Sequence, residues 1–454
     1  MKKMQTDNKN KGARRLALEV LLAVTADGAY SNLALGRALR QQGEDFAPAE
    51  RALLTELVYG TLRMQGTIDY ILAQFVKQPL ARLPLKILLI LRLGVYQLLF
   101  MAKIPAAAAV NESVKLAKIY GHQGTAALTN AVLRNVERRR DNLSYPDKQT
   151  RPAEYLAARY SHPLWLVQQW LARFGFAECL AMCEFDNQPA PYTLRVNTLK
   201  ASRAEVLQRL LALGAAVRPL RFASEGLVIE SGGSAALTDM LAQGLVYPQQ
   251  ESSMLAAQVL QPQPGSRVLD VCAAPGGKTT HLAALMQNRG SILALDLHEH
   301  KLQLLRENAA RLGVDCIQTQ AADSRNLADI PSDFADYVLA DVPCSGLGVL
   351  RSRPDARWRK EPTISEEMAP LALAILQEAA GKLKVGGTLL FSTCTVSETE
   401  NEGNLARFLA ANPNFAPEPI SFAPEIFAGQ ASLQVLPQRQ RLEGFFYAKL
   451  RRLS

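Results

Sequence analysis

The residues best equipped for chemistry are two cysteines that each close an apolar run. Asp341-Val342-Pro343-Cys344-Ser345-Gly346 ends DYVLAD, and Ser392-Thr393-Cys394-Thr395 ends TLLFSTC. Short apolar runs of this kind read as strands that deliver a side chain to one end of a sheet. If the two strands are neighbours, both thiols open onto one cleft. Such a pair suits addition chemistry on an electron-poor ring. C5 of a cytosine is not nucleophilic, but a thiolate added at C6 pushes electron density onto it, and C5 can then attack a sulfonium methyl. An acid at N3, a role open to Asp341, stabilises the adduct. The C5 proton must then leave and the sulfur be expelled, a step in which a second thiol can assist. The other cysteines carry less. Cys179, Cys183 and Cys316 read as small buried hydrophobes. They form no CxxC and no cluster with the five histidines, so no metal is expected.

A methyl donor needs its own site. The run Leu269-Asp270-Val271-Cys272-Ala273-Ala274-Pro275-Gly276-Gly277-Lys278-Thr279 is a strand entering a glycine-rich turn and a helix start. A phosphate-cradling loop would need glycine where Cys272 stands, and the G-x-G-x-x-G fingerprint is absent. The remaining reading is a turn for S-adenosylmethionine, built from Cys272, Ala273, Ala274, Pro275, Gly276, Gly277 and Lys278. Acidic residues close the following strands at Asp296, Asp323 and Asp341. A carboxylate at the second strand end suits a ribose diol, and one at the third suits an adenine amine.

These residues need a sheet behind them, and the chain supplies one. RVLDV, SILALD, CIQTQAAD, DYVLAD, TLLFSTC and FFYAKL alternate with helical segments, which implies a mostly parallel doubly wound sheet. Before it, TLRVNTLK, SRAEVLQRLLALG, AVRPL and GLVIE suggest a small α/β module, preceded by the helical SHPLWLVQQWLARFG. From Ala13 to about Arg140 apolar residues recur at three- and four-residue spacing without a strand pattern, so this part is all-α. The 454 residues therefore divide into a disordered tail over 1–12, a helical domain over 13–140, a linker over 141–160, the small module over 161–238 and the catalytic domain over 239–454. The helical domain is expected to be removable at the linker.

Composition is that of an ordinary folded protein, with 48% hydrophobic and 20% charged residues. The net charge of +9 is unevenly spread: residues 1–150 hold 22 Lys and Arg against 12 Asp and Glu. A basic helical domain points to a polyanion such as RNA. Ile87 to Ala102, cut by Arg92, is too short for a membrane span. Six cysteines without framework spacing point to a reducing compartment, the cytoplasm.

CAAPGGKT, Asp296, Asp323, DVPCSGLG, STCTVSETENE and GFFYA together resemble the NOL1/NOP2/Sun family of RNA cytosine-C5 methyltransferases, as do QQESSM and RVNTLK. The resemblance implies a Rossmann-like methyltransferase domain with Cys394 as nucleophile and Cys344 assisting product release. The family often has Ala where Val342 stands and Asp where Glu443 stands. AVNESVKLAKIYG and TNAVLRNV resemble an RNA-binding NusB-like domain. That domain in front of a small ferredoxin-like module and the catalytic part is the arrangement of the bacterial branch acting on cytosine 967 of small-subunit rRNA. The motifs leave tRNA or another RNA open as substrate, and a non-catalytic antitermination-like factor stands as the different-class alternative. No membrane or metal partner is expected, and a monomer is. LRSRPDARWRK, with Arg351, Arg353, Arg357 and Trp358, reads as an RNA-contacting loop, the target base being flipped out of its stack.

Overall fold

The computed structural model describes residues 12–43 and 46–454; the tail expected over 1–12 lies outside them except for Gly12. The chain forms two compact units, the first from residues up to 189 together with 350–360, the second from 190–349 and 361–454.

The first unit is helical, with α1 (Ala13–Ala26), α2 (Ser31–Gln42), α3 (Pro48–Arg63), α4 (Gln65–Leu72), α5 (Leu85–Phe100), α6 (Ala106–Tyr120), α7 (Gln123–Arg139), α8 (Pro152–Tyr160) and α9 (Leu164–Asp186). Every residue of α5 from Ile87 to Gln97 is buried, as befits a helix apolar on all sides at the centre of a bundle. Arg92 is accommodated by a two-pronged bond to Asp69 on α4, at 2.8 and 2.7 Å. No helix among the described residues is long and apolar enough to cross a membrane. In this unit α8 starts on Pro152 and packs against α4 and α9. The polar letters of PAEYLAARY masked the apolar face formed by Leu156 and Ala158.

Segment 350–360 is part of the same helical unit, although it follows the Pro-Cys turn in sequence. Arg357 is fully buried. Its Nη1 donates to the carbonyls of Ser161 (2.8 Å) and Arg63 (3.3 Å) and to Asn187 Oδ1 (2.9 Å), and its Nη2 to the carbonyl of Asp186 (3.2 Å). Trp358 Nε1 donates to the Leu62 carbonyl at 2.7 Å. Arg351 Nη2 donates to the Pro189 carbonyl at 2.7 Å, with its guanidinium over the Phe185 ring. The expectation of an RNA-contacting loop is thus corrected for Arg357, which is buried with both Nη atoms bonded inside the unit; Trp358 Nε1 and the Arg351 guanidinium also donate to carbonyls of this unit. Arg353 is exposed. Composition cannot distinguish a solvated basic loop from one whose guanidinium satisfies buried carbonyls. The interior of the helical unit thus includes this later segment.

The second unit carries two sheets. The small one comprises β1 (Tyr192–Val196), β2 (Ala216–Pro219), β3 (Gly226–Ser231) and β4 (Val246–Pro248), antiparallel in the order β2-β3-β1-β4. It is flanked by α10 (Arg203–Ala212) and α11 (Ser234–Ala242), and β4 carries it beyond residue 238. After α12 (Glu251–Leu260) the large sheet begins: β5 (Arg267–Asp270), α13 (Gly277–Leu285), β6 (Ser291–Asp296), α14 (Glu299–Leu312), β7 (Ile317–Ala321), β8 (Ala335–Asp341), α15 (Ile364–Ala380), β9 (Leu383–Thr393), α16 (Glu402–Ala411), β10 (Phe415–Pro417), β11 (Ser432–Val435) and β12 (Phe445–Arg452). The order β10-β12-β9-β8-β5-β6-β7 has a parallel centre from β9 to β7 and an antiparallel edge at β12, with β11 also on β12. Strand order reverses between β5 and β8, where open α/β sheets bind ligands at their carboxyl ends. Apolar side chains of α12, α13 and α14 cover one face, and those of α15 and α16 the other. In α14, for example, Leu302, Leu305, Ala309 and Leu312 share the buried face.

Arg357→Ala strands several buried acceptors and is expected to cost about 2–4 kcal/mol. Calorimetric melting should show a drop of about 5–12 °C for a unit of this size. The salt dependence of RNA affinity should stay as in the natural chain; a shallower slope with unchanged melting would return Arg357 to the RNA surface.

Candidate active site

The turn after β5 is fixed from below by Asp270, which is buried. Its Oδ2 accepts from Thr279 Oγ1 at 2.8 Å and its Oδ1 from the Cys272 amide at 3.4 Å. Burial pushes this carboxyl up to about 7, against the Thr279 hydrogen bond and with the help of the Asp341 charge. The Ala273 amide donates to the Leu295 carbonyl at 2.8 Å, tying the turn to β6. Gly276 has φ +101°, and a Cβ there would stand 2.8 Å from Leu305. The start of α13 is held by buried Arg195 of β1, which donates to Gln249 Oε1 (2.7 Å), Thr280 Oγ1 (2.9 Å) and the Gly277 carbonyl. Burial lowers its guanidinium to about 10.

Three carboxylates follow along the strand ends. Asp296 Oδ1 accepts from the His298 amide at 3.0 Å, and the intervening Leu297 is 60% exposed. Asp323, well exposed, is gripped by Arg325, whose hydrogen bonds bring its carboxyl down to about 2. Asp341 accepts from Lys278 Nζ at 2.7 Å on one oxygen and from Ser392 Oγ at 2.9 Å on the other. For Lys278, burial favours the neutral amine, but the charge and hydrogen bond of Asp341, with Cys394 and Asp270 nearby, outweigh it and hold the pKa above the lysine range. Its ammonium also lies 5.3 Å from the centre of the Phe445 ring.

The two cysteines meet. Parallel β8 and β9 place Asp341 opposite Ser392, and beyond them Cys344 Sγ and Cys394 Sγ stand 3.3 Å apart. Contact with Cys394, then burial, then the charges of Cys394 and Glu400 push the Cys344 thiol well up. A thiol kept protonated beside a second sulfur can donate to it when that sulfur carries charge. The first turn into α16 braces the pair. Asn401 accepts from Thr393 Oγ1 (2.6 Å) and donates to the Thr395 carbonyl (3.1 Å), so both neighbours of Cys394 are held. Glu400 does the same for Ser345 and Thr395. Cys272 is raised by burial and stays a thiol.

Of the residues singled out in the sequence, Cys344, Cys394, Asp341 and Lys278 come together, while Asp296 and Asp323 lie along the same strand ends. Asp270, Arg195, Glu400 and Asn401 were not singled out. Asp270 lay in plain view inside the cofactor motif. The donor set fits S-adenosylmethionine: carboxylates for hydroxyls and an amine, and an exposed leucine for a flat ring. Among the described residues no group of three or more His, Cys, Asp or Glu could hold a metal ion.

Comparison with known proteins agrees along the chain. The model of the 16S rRNA methyltransferase RsmB/F matches residues 257–451, that of the NusB family residues 11–138, and that of the ferredoxin-like domain of RsmF/B-like methyltransferases residues 162–236. The chain is 40% identical to the probable ribosomal RNA small subunit methyltransferase B of Bacillus subtilis, over 98% of this chain and 99% of that one. It is 33% identical to ribosomal RNA small subunit methyltransferase B of Pseudomonas putida, over 97% and 98%. Among solved structures, PH0851 superposes with a TM-score of 0.83 at 27% identity, covering 98% of this chain and 99% of that one. NSun6 from Pyrococcus horikoshii, solved with SFG, gives 0.57 at 26% identity, covering 64% and 98%.

The raised carboxyl of Asp270 has a pH signature. With a folded value of about 7 above an unfolded value of about 3.9, Asp270 binds its proton more tightly in the folded chain. Its contribution is full below pH ~4, is lost as pH rises to ~7, and is level above that. The neutral Asp270→Asn variant lacks this loss. Its melting advantage over the natural chain should grow between pH ~4 and ~7, by on the order of 2–4 kcal/mol. A gap independent of pH would mean that Asp270 is ionised throughout.

Proposed function

Since the chain belongs to the RsmB/F family of S-adenosylmethionine-dependent small-subunit rRNA methyltransferases, of the cytosine-C5 class, we propose that its target is cytosine 967 and that it works in the cytoplasm through a transient bond between Cys394 and C6. The observation that carries this mechanism is the 3.3 Å approach of the two thiols beside the Lys278–Asp341 pair.

S-adenosylmethionine supplies an electrophilic methyl group. The turn from Cys272 to Lys278, with Asp296, Asp323 and Asp341, would hold it, as the SFG complex of the Pyrococcus relative supports. Cys394 adds as thiolate to C6, favoured by the nearby Lys278 ammonium. The Lys278–Asp341 pair carries a proton that it can lend to N3, so the electrons of the addition collect at C5 rather than as a naked anion. After transfer the C5 proton leaves to a base, the C6–S bond breaks and the N3 proton returns to the pair. Cys344, held as a thiol, donates its S–H to the departing Cys394 sulfur and steadies it as a leaving group. The excess positive charge of residues 1–150 would grip the phosphate backbone, with exposed Arg353 as a further RNA contact.

Cys394→Ala should abolish transfer of labelled methyl groups to rRNA while binding cofactor almost normally. Cys344→Ala should accumulate a covalent protein–RNA band on a denaturing gel. A band with Cys394→Ala and none with Cys344→Ala would reverse the assignment. Bisulfite sequencing of rRNA from a deletion strain should show loss of protection at 967 alone; protection lost elsewhere would move the target.

Asp323→Ala should weaken cofactor affinity by about 1–3 kcal/mol in calorimetry, through one lost hydrogen bond. Unchanged affinity would remove Asp323 from the site.

A further inference from the structure

One buried carboxylate lies behind both cysteines at once. Glu400 has no exposed surface. Its Oε2 accepts from the Ser345 amide at 2.7 Å, and its Oε1 accepts from Ser345 Oγ, from Ser365 Oγ at 2.9 Å and from Thr395 Oγ1 at 3.4 Å. Ser345 and Thr395 also share a hydrogen bond of 2.7 Å between their hydroxyls. Ser345 follows Cys344 in the chain, and Thr395 follows Cys394. The turns that present the two sulfurs are separate in sequence by fifty residues, and behind the thiols this side chain bonds to both, beside their direct hydroxyl contact.

A carboxylate taken wholly out of water is expensive, and burial raises its pKa even against hydrogen bonds from Ser345, Ser365 and Ser397. The side chain offers acceptors on two oxygens to donors arriving from three segments. Its charge has a second effect, since it helps keep the Cys344 thiol protonated. Asn401, its neighbour, fixes Thr393 and Thr395 but reaches nothing on the Cys344 side.

We propose that Glu400 is a positioning residue for the release step: it holds the Pro-Cys turn against the Thr-Cys turn so that Cys344 reaches the sulfur of Cys394. The proposal rests on the roles given to the two thiols above. Glu400 has no exposed surface to offer substrate or cofactor. Without it the β8–β9 pairing still delivers Cys394, so addition to C6 and methyl transfer continue. What is lost is the fixed S–S approach, and with it the prompt breaking of the C6–S bond.

The test uses the full-length protein, small-subunit rRNA from a strain lacking the gene, and labelled S-adenosylmethionine. Glu400→Ala, Glu400→Gln, Ser345→Ala and Cys344→Ala are compared for steady-state turnover, single-turnover methyl transfer, cofactor affinity and covalent protein–RNA complex on a denaturing gel. Glu400→Ala should keep cofactor affinity within twofold and lower turnover at least tenfold. Single-turnover transfer should fall much less, and the covalent complex should accumulate as with Cys344→Ala. Ser345→Ala removes the hydroxyl that meets both Glu400 and Thr395 while keeping the amide bond to Oε2, and should show the same split in milder form, which covers the case in which Glu400→Ala does not fold. Glu400→Gln keeps the acceptor oxygen and should restore most of the turnover. If Cys344→Ala traps the complex while Glu400→Ala and Ser345→Ala trap none, or turn over normally, the positioning role is overturned. If Cys344→Ala itself traps nothing, the thiol roles have failed instead. Glu400 is then judged by turnover alone: a tenfold loss at constant cofactor affinity, restored by Gln, supports it, and unchanged turnover ends it.

Discussion

The reacting end of the sheet depends on one strand register, the pairing of Asp341 with Ser392 between β8 and β9. Side chains alternate along a strand, so a slip by one residue would send each cysteine to the opposite side of its turn. The register is locked from a third direction. The Gly348 amide donates to the Cys394 carbonyl at 3.0 Å, and the Gly444 amide to the Gly348 carbonyl at 2.7 Å. A Cβ on Gly348 would lie 2.1 Å from the Gly444 carbonyl oxygen, so only glycine lets the segments after β8 and before β12 approach. Two sulfurs from distant parts of the chain thus come within reach through backbone pairing, with side chains adding the final placement.

The same end of the sheet gathers charges that a stability-driven interior would avoid. Asp270, Lys278, Arg195 and Glu400 are each largely or wholly withdrawn from water, and each is answered by specific partners. The answers are graded. Asp341 has a full counter-charge in Lys278, whereas Asp270 has only a hydroxyl and an amide and shifts its proton affinity instead. This grading leaves one firmly held ammonium in the middle of acidic and thiol groups, which is the field a forming thiolate needs.

The strands of the large sheet were legible because central parallel strands are buried on both faces and read as continuous apolar runs. Their terminal residues could then be placed by counting, which is why Cys344, Cys394 and the strand-end Asp residues were found. The antiparallel additions β10 and β11 were not, being three and four residues long. The burial of Arg357 was not legible, because charge in a loop carries no mark of where its hydrogen bonds go. Glu400 and Asn401 stand openly in SETENE, but their worth lies in partners that only folding supplies. Arg195 is of the same kind, a basic residue in a short strand whose acceptors come from α13 and the loop before α12.

The docking of segment 350–360 has a consequence for how the protein is made. The helical unit emerges from the ribosome first, yet its interior waits for Arg357 and Trp358 to cap the carbonyls of Ser161, Asp186 and Leu62. At 5–20 residues per second, the stretch between residues 189 and 350 delays that moment by roughly 10–30 s. During this interval the nascent unit is a nearly complete bundle with an open seam. Its completion thus follows the synthesis of β8 and the Pro-Cys turn.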